Sequence, residues 1–139
     1  MEELIQQITR KHHKEIEVYA PASLLEIERF EQMIGFTLPI DFIEFYTTCN
    51  GFYCDEDLFR IIPLSEITSH DDDYGTNWFY FAEYMSYSDM WGLRHVDGQY
   101  EIFNGSFPTK AITSSLTEFL GRFLQGNVFE KGGLYDWGE

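Results

Sequence analysis

The chain has 139 residues, with 24 acidic and 9 basic side chains and a formal net charge of −15. An excess of this sign repels the phosphates of nucleic acids and of anionic membranes, which excludes both classes of partner. A hydrophobic fraction of 44%, with no linker and no repeat, excludes a disordered chain and predicts one domain over residues 1–139.

Signals for three helices follow one another in the first third of the chain. The first helix is expected over residues 2–11, where acids begin and bases end the segment, as the helix dipole favours. The second begins after Ser23, which forms a capping box with Glu26, and ends at Gly35, a residue suited to a left-handed cap. Its apolar side is predicted to comprise Leu24, Ile27, Phe30 and Ile34.

The third helix is expected to have Pro39 at its first position, where the missing amide of proline costs nothing. Asn50 and Gly51 then end it, because both residues tolerate positive φ. The apolar face of this helix is predicted to hold Leu38, Phe42, Phe45, Tyr46 and Cys49.

Beyond Gly51 the hydrophobic pattern changes to short runs rich in aromatic and β-branched residues. Asp97 and Gly98 separate two of these runs, which predicts a hairpin with a type I′ turn. The strands are predicted at residues 58–62, 78–81, 89–96 and 99–103.

A fourth helix is expected from Ser115, with Ser115 and Glu118 as a second capping box. The tail from Gln125 onward is left unassigned. The order of helices, then strands, then a helix predicts the α+β class. We expect N-terminal helices, a central and mainly antiparallel β-sheet, and a C-terminal helix packed on the sheet.

A set of spaced residues in the helical third carries a family resemblance. The residues are Pro21, Ser23, Ile27, Phe30, Glu31, Gly35, Leu38, Pro39, Phe42, Phe45, Asn50 and Gly51. In this order and spacing they resemble the N-terminal signature of the SUKH superfamily, which includes bacterial immunity proteins and the yeast Smi/Knr cell-wall regulators. Glu31 is a carboxylate on the apolar side, and we expect it to accept hydrogen bonds from nearby backbone amides.

The resemblance implies a binding role rather than catalysis. Bacterial members are similar to antidotes that bind and block a cognate polymorphic toxin domain, often a nuclease or a deaminase. The expected function is therefore that of an acidic immunity protein whose partner is a basic protein toxin. The alternative is an intracellular scaffold or regulatory interaction domain of the Smi/Knr type.

The distribution of charge indicates where such a toxin would bind. Residues 30–93 hold twelve acids and a single base, Arg60. An acidic segment attracts a basic partner and accelerates its docking, and exposed Trp and Tyr side chains commonly anchor interfaces. The predicted contact residues are Asp55, Glu56, Asp57, Asp71, Asp72, Asp73, Trp78, Tyr84 and Trp91.

Catalytic and metal chemistry finds little support in the sequence. Residues 70–75 resemble a calcium loop, but the glycine comes one position early and Ala82 occupies the place of the bidentate glutamate. Cys49, on the apolar face of the third helix, is expected to be a buried free thiol. Cys54 could form a catalytic dyad with His70 or His95 only if the fold brought them together. We therefore expect a chain that is not an enzyme and has no cofactor, catalytic residue or metal ligand. A hydrolase using clustered carboxylates and a divalent metal is the competing enzymatic hypothesis.

The N-terminal residues indicate where in the cell the protein is expected. They lack the basic and then apolar pattern of a secretory signal, and no run approaches the ~20 apolar residues of a membrane span. A cytoplasmic location is therefore expected, with no membrane partner.

His12 and His13, at the end of the first helix, are expected to face solvent. The chain is expected to be a monomer or a weak dimer.

Overall fold

Residues 1–67, 77–86 and 88–136 are described by the structure, a computed structural model. The predicted α+β class is confirmed, with N-terminal helices, an antiparallel sheet and a C-terminal helix. The expectation of one domain over 1–139 stays a prediction. The elements are α1 (Glu2–Lys11), β1 (Ile16–Val18), α2 (Leu24–Ile34), α3 (Ile40–Thr48), β2 (Phe52–Cys54), β3 (Phe59–Ile61), a 3₁₀ turn (Leu64–Glu66), β4 (Trp78–Tyr84), β5 (Asp89–Val96), β6 (Gln99–Asn104), β7 (Ala111–Thr113) and α4 (Leu116–Gly126).

The described strands form one seven-stranded sheet in the order β1-β2-β3-β4-β5-β6-β7. Each strand pairs antiparallel with the next one along the chain. The pattern of the sequence did not predict β1, β2 or β7. Each has three residues, which is too short for the alternation of apolar and polar side chains to be recognised.

One face of the sheet carries the aromatic core. Rings from α2, α3 and α4 pack on rings of the strands beneath them. Phe30 and Phe42 meet Phe79 edge to face, with centroids 4.9 and 6.2 Å apart, and Phe123 stacks on Phe59 at 4.5 Å. Each such pair contributes about 0.5–1.5 kcal/mol beyond the burial of its area. α1 packs on α4, farther from the sheet.

The ends of α2 follow the local signals. Ser23 and Glu26 form the complete capping box, at 3.0 and 3.1 Å, and Gly35 adopts the left-handed cap with φ of 85°. Glu31 accepts a hydrogen bond from the amide of Leu38 at 2.7 Å, as expected of it. The predicted burial of Leu24 is wrong, because this first residue of α2 is 72% exposed.

The start of α3 differs by one residue from its prediction. Pro39 is extended, with ψ of 155°, and the helix begins at Ile40. At the other end, Gly51 has a φ of 99°, and a Cβ there would lie 2.4 Å from the carbonyl oxygen of Ile61. Glycine is therefore required where the chain enters β2.

The β5–β6 hairpin has the predicted turn. Asp97 and Gly98 both have positive φ, 52° and 77°, and Val96 pairs with Gln99 on either side of them. A type I′ turn requires positive φ at both central residues, which Asp-Gly supplies at low cost.

The capping of α4 is only half as predicted. Ser115 accepts from the amide of Glu118 at 3.0 Å, but the Glu118 carboxylate binds the Thr113 hydroxyl instead of returning to Ser115. A second cap comes from α3, where the Asp41 carboxylate accepts from the amides of Leu116 and Thr117 at 2.7 and 3.2 Å. The helix start is thereby tied to a distant part of the chain.

Candidate partner-binding surface

The acidic turn of Asp55, Glu56 and Asp57 connects β2 to β3. The amide of Asp55 donates to the carbonyl of Glu15 at 2.7 Å, and the amide of Leu58 donates to the carbonyl of Asp55 at 3.3 Å. These backbone bonds hold the turn at the end of the sheet. Asp55 and Glu56 are exposed there, so both carboxylates face solvent.

Asp57 points inward, toward His12. The His12 ring is 4% exposed, stacks on Phe123 at a centroid distance of 5.4 Å, and has its Nδ1 3.6 Å from the Asp57 carboxylate. The expectation that His12 faces solvent is therefore wrong, because the end of α1 folds onto α4. Burial raises the pKa of Asp57. His12 opposes this rise, and the carboxylates of Glu56 and Glu130 add to it.

Trp78 and Trp91 are buried, at 2% and 0% exposed, which corrects their prediction as partner-binding residues. Trp91 points from β5 into the core, edge to face with Phe59 and Phe119 at 5.9 and 5.8 Å. Trp78 packs on Phe103 in a cluster separate from the main core. Both faces of these strands are covered, so alternation along the strand did not distinguish an exposed ring from a buried one.

Tyr84 ends β4 and is half-buried, and its role as a contact residue stays a prediction. Its ring meets Phe129 edge to face at 5.0 Å, and Phe129 in turn stacks on Tyr135 at 5.2 Å. Beside them the amide of Met85 donates to the carbonyl of Leu58 at 2.8 Å. Leu58, Tyr84, Met85, Phe129 and Tyr135 together form a surface that we name the aromatic patch.

The aromatic patch is unusual in its exposure. Phe129 is 64% exposed, and Leu58, Met85 and Tyr135 are each exposed by more than 40%. Single exposed apolar residues are common on protein surfaces, whereas a contiguous group of them indicates an interaction site.

Backbone strain is concentrated around the aromatic patch. Among the described non-glycine residues, positive φ occurs at Leu58, Met85, Ser86 and Asn127, with values of 50–53°, and in the Asp97 turn. The left-handed conformation costs a non-glycine residue roughly 1–2 kcal/mol. Strain of this kind persists where surrounding contacts enforce it, and it clusters at functional sites.

Hydrogen bonds hold the tail after α4 in a defined path. The amides of Leu134 and Tyr135 donate to the carbonyls of Asn127 and Val128 at 3.0 and 3.1 Å, which closes a loop. Arg122 of α4 donates to the carbonyls of Gly133 and Asp136. The tail is thereby folded back on its own helix, and Val128 and Leu134 are buried beneath it.

Asp89, at the start of β5, attaches the tail to the sheet. Its carboxylate accepts from the hydroxyl of Tyr135, the amide nitrogen of the Asn104 side chain at 3.1 Å and the hydroxyl of Ser106 at 3.0 Å. Because one carboxylate joins β5, the end of β6 and the tail, the Tyr135 ring is held in place while part of it stays exposed.

Carboxylates surround the aromatic patch. The exposed acids Asp55 and Glu56 adjoin Leu58 in sequence, and Glu130, also exposed, follows Phe129. Tyr84 contacts Phe129 and pairs with Phe59, the second residue after the acidic turn, so the tail lies near that turn. The exposed bases in this neighbourhood are Lys131 and Lys11, so acids still exceed bases around the patch.

The predicted contact residues Asp71, Asp72 and Asp73 lie outside the described residues. Of the nine predicted residues, the structure brings Asp55, Glu56, Asp57 and Tyr84 to one end of the sheet. Phe129 and Tyr135 were missed because the tail could not be assigned. The signal that could have revealed them is the presence of large rings in a glycine-rich segment that no helix or strand pattern explains.

Neither cysteine has the properties of a catalytic nucleophile. Burial raises the pKa of Cys49 to about 11 and that of Cys54 to about 12. A catalytic cysteine needs a lowered pKa, since the thiolate is the nucleophile. In the ranges 1–67, 77–86 and 88–136, no three His, Cys, Asp or Glu side chains are grouped as a metal site would require.

Comparison with known families assigns the chain to a protein class. The model of the SMI1 / KNR4 family (SUKH-1) matches residues 21–122, well over half of the chain. The chain belongs to this family. SUKH domains are generally non-enzymatic binding domains. No curated protein matches the chain. No helix among the described residues has the length and apolarity needed to cross a bilayer.

The match to the SUKH-1 family ends inside α4. Leu58, Tyr84 and Met85 therefore belong to the matched region, whereas Phe129 and Tyr135 follow it. The aromatic patch is thus assembled from residues within the family match and from residues that follow it.

Proposed function

We propose that this SUKH-1 protein is an immunity protein that neutralises a cognate toxin domain by binding it directly. The toxin would be basic, as a nuclease that holds phosphates must be. The proposal includes the absence of catalysis, because the described site offers exposed carboxylates and rings but no activated nucleophile.

The state of Arg60 is the observation that carries this proposal. It is the single base among residues 30–93, and its side chain is 15% exposed. Its Nε donates to Glu83 and one terminal nitrogen donates to Glu66, both at 2.9 Å. The positive charge is thereby neutralised locally, so the surface field of this region is set by its acids.

The proposed contacts to the toxin come from the acidic turn and from Tyr84, with Asp71, Asp72 and Asp73 as a second acidic segment. Trp78 and Trp91 are left out because they are buried. Acids of one sign steer a basic partner toward the surface and raise the association rate, while a ring at the centre adds affinity.

Location and assembly follow from the same proposal. An antidote to a nuclease is useful in the compartment that holds the nucleic acid, so we propose that it acts in the cytoplasm. A net charge of −15 repels other copies of the chain, which favours a monomer or a weak dimer.

Co-expression with the toxin-like domain encoded beside the gene tests the proposal. The wild-type chain should restore growth of a host that produces the toxin, and the purified pair should form a complex whose association slows as salt rises. The double variant Asp55→Lys/Glu56→Lys should slow association by about tenfold, because it reverses the steering field. Failure of the wild-type chain either to restore growth or to bind would contradict the proposal.

A matched control is available on the helices. Glu28 of α2 and Glu44 of α3 are also exposed, so Glu28→Lys/Glu44→Lys changes the net charge equally at other positions. Association of this variant should stay close to that of the wild type. Reversal of Asp71, Asp72 and Asp73 tests the second acidic segment in the same assay. If the control and the acidic-turn variant slowed association equally, the toxin would bind at a surface other than the acidic turn.

The second candidate function is a scaffold or regulatory interaction domain of the Smi/Knr type, which the family match supports equally. Such a domain would bind several partners weakly. A single tight complex with the neighbouring toxin-like domain distinguishes the antidote from it.

A further inference from the structure

The aromatic patch is rigid before any partner binds. The carboxylate of Asp89 holds Tyr135, and backbone hydrogen bonds close the loop between Asn127 and Tyr135. Gly126 and Gly133 are in close contact within this loop, since a Cβ on Gly126 would lie 2.3 Å from the nitrogen of Gly133. A surface fixed in this way loses little conformational entropy on binding.

Packing of the folded chain does not account for the exposure of Phe129. About two thirds of this ring remains in contact with solvent, although Val128 beside it is 1% exposed. Removing the exposed part of a large aromatic side chain from water is favourable. That free energy is unused in the isolated chain and would become available to a partner.

The charge around the aromatic patch limits what can cover it. Asp55, Glu56 and Glu130 contribute exposed carboxylates, against the exposed bases Lys131 and Lys11. An anionic lipid surface and a nucleic acid would be repelled, and so would a second copy of the chain with its net charge of −15. The surface fits a cationic protein segment.

The stacking of the rings suggests which side chain of that segment is central. Phe129 and Tyr135 are nearly parallel, at 12°, and Tyr84 meets Phe129 almost at a right angle, at 86°. A ring face attracts a guanidinium or an ammonium group within about 6 Å of its centroid. Carboxylates beside the ring bind the same group through charge-assisted hydrogen bonds.

We infer that the aromatic patch is the docking surface for an arginine- or lysine-bearing segment of the basic toxin. The charged group of that segment lies against the ring of Phe129, beside Tyr84, and faces the carboxylates of Glu56 and Glu130. This inference rests on the proposed function and names the surface through which it operates. Phe129 follows the residues that the family model matches, so the family match alone does not reveal this contact.

Single substitutions at Phe129 test the inference with the same toxin-like domain. Phe129→Ala should weaken binding by about tenfold or more, mainly through faster dissociation. Leu24 is the control, since it is 72% exposed at the start of α2, a helix that packs on α3 and the 3₁₀ turn. Leu24→Ala should stay within about twofold of the wild type. Wild-type affinity of Phe129→Ala would overturn the inference and leave the proposed function standing.

Phe129→Leu distinguishes a requirement for the aromatic ring from a requirement for any apolar side chain. Leucine retains an apolar side chain but has no ring face, so this variant should also bind more weakly than the wild type. Equal affinities of Phe129→Leu and the wild type would overturn the assignment of a cation to the ring.

A second measurement does not depend on the toxin. The probe is a short peptide alternating arginine with leucine, followed by NMR of the intact chain. The ring resonances of Tyr84, Phe129 and Tyr135 should shift. Those of Tyr100, which pairs with His95 at the opposite end of β5 from Asp89, should not. A peptide with glutamate in place of arginine should have no effect. Shifts that spare these three rings would overturn the inference. Failure of the toxin to bind, with these rings still shifting, would count against the proposed function alone.

Discussion

At the scale of single residues, burial assigns roles that residue type does not reveal. Asp57 and Asp55 are both acids of the same turn, yet Asp55 faces solvent and Asp57 faces the buried His12. Removal of Asp55 is therefore expected to affect a partner, whereas removal of Asp57 would also disturb the packing of α1 on α4.

The sharpest prediction at this scale concerns two glycines of α4. Gly126→Ala should destabilise the chain by about 1–3 kcal/mol, because the added Cβ would lie 2.3 Å from the backbone nitrogen of Gly133. Gly121 lies in the same helix with no atom within 4 Å of its Cβ position. Gly121→Ala should stabilise the chain by about 0.5–1 kcal/mol.

Urea unfolding of the two variants measures both effects. Phe129 should also become more mobile in Gly126→Ala, because the loop that carries it cannot close. Loss of stability in Gly121→Ala, or none in Gly126→Ala, would contradict the tight contact between Gly126 and Gly133.

At the scale of elements, α4 connects the parts of the molecule. Its start is capped from α3, its middle packs on the sheet through Phe119 and its end contacts α1. The tail that follows it carries two of the three rings of the aromatic patch. Displacement of α4 would therefore move the core and the aromatic patch together.

Asp41→Ala tests the cap that α3 supplies to α4. Loss of the carboxylate removes the acceptor for the amides of Leu116 and Thr117, at a cost of about 1–2 kcal/mol. Glu44→Ala in the same helix is the control and should change stability by less than about 0.5 kcal/mol, since Glu44 is exposed. The denaturant concentration at the midpoint of unfolding measures the stability of each variant. Equal midpoints for the two variants would show that the Asp41 cap contributes nothing to stability.

At the scale of the whole molecule, the charge has opposite effects on binding and on stability. A net charge of −15 attracts a basic partner, but the excess carboxylates also repel one another within the folded chain. Binding a partner of opposite sign would relieve this repulsion, so we expect complex formation to stabilise the fold.

Salt should therefore stabilise the free chain at neutral pH. Screening of the acids by added sodium chloride should raise Tm by about 3 °C or more, which corresponds to roughly 1 kcal/mol. The effect should largely disappear near pH 4.4, the isoelectric point of the sequence, where the net charge is close to zero. Thermal melting at two salt concentrations and both pH values measures it. A Tm that falls with salt at neutral pH would show that attractive ion pairs outweigh the repulsion.

Local signals predicted most of the fold and little of the candidate site. Residues 2–11, the Ser23 capping box and the Asp97–Gly98 turn were predicted correctly, because each depends on side chains within a few positions of one another. Tyr84 was proposed from the aromatic content of its segment. Trp78 and Trp91 came from the same argument and are buried, since both faces of those strands are covered.

The sequence by itself determined the family resemblance, the α+β class and the acidic field, because these depend on spacing, order and composition. Only the tertiary structure decided that His12 is buried, that Arg60 is neutralised by two glutamates, and that Phe129 lies beside Tyr84. Each of these depends on residues far apart in the chain. Contacts between distant segments follow from how the helices cover the sheet, and no local pattern of residues encodes them.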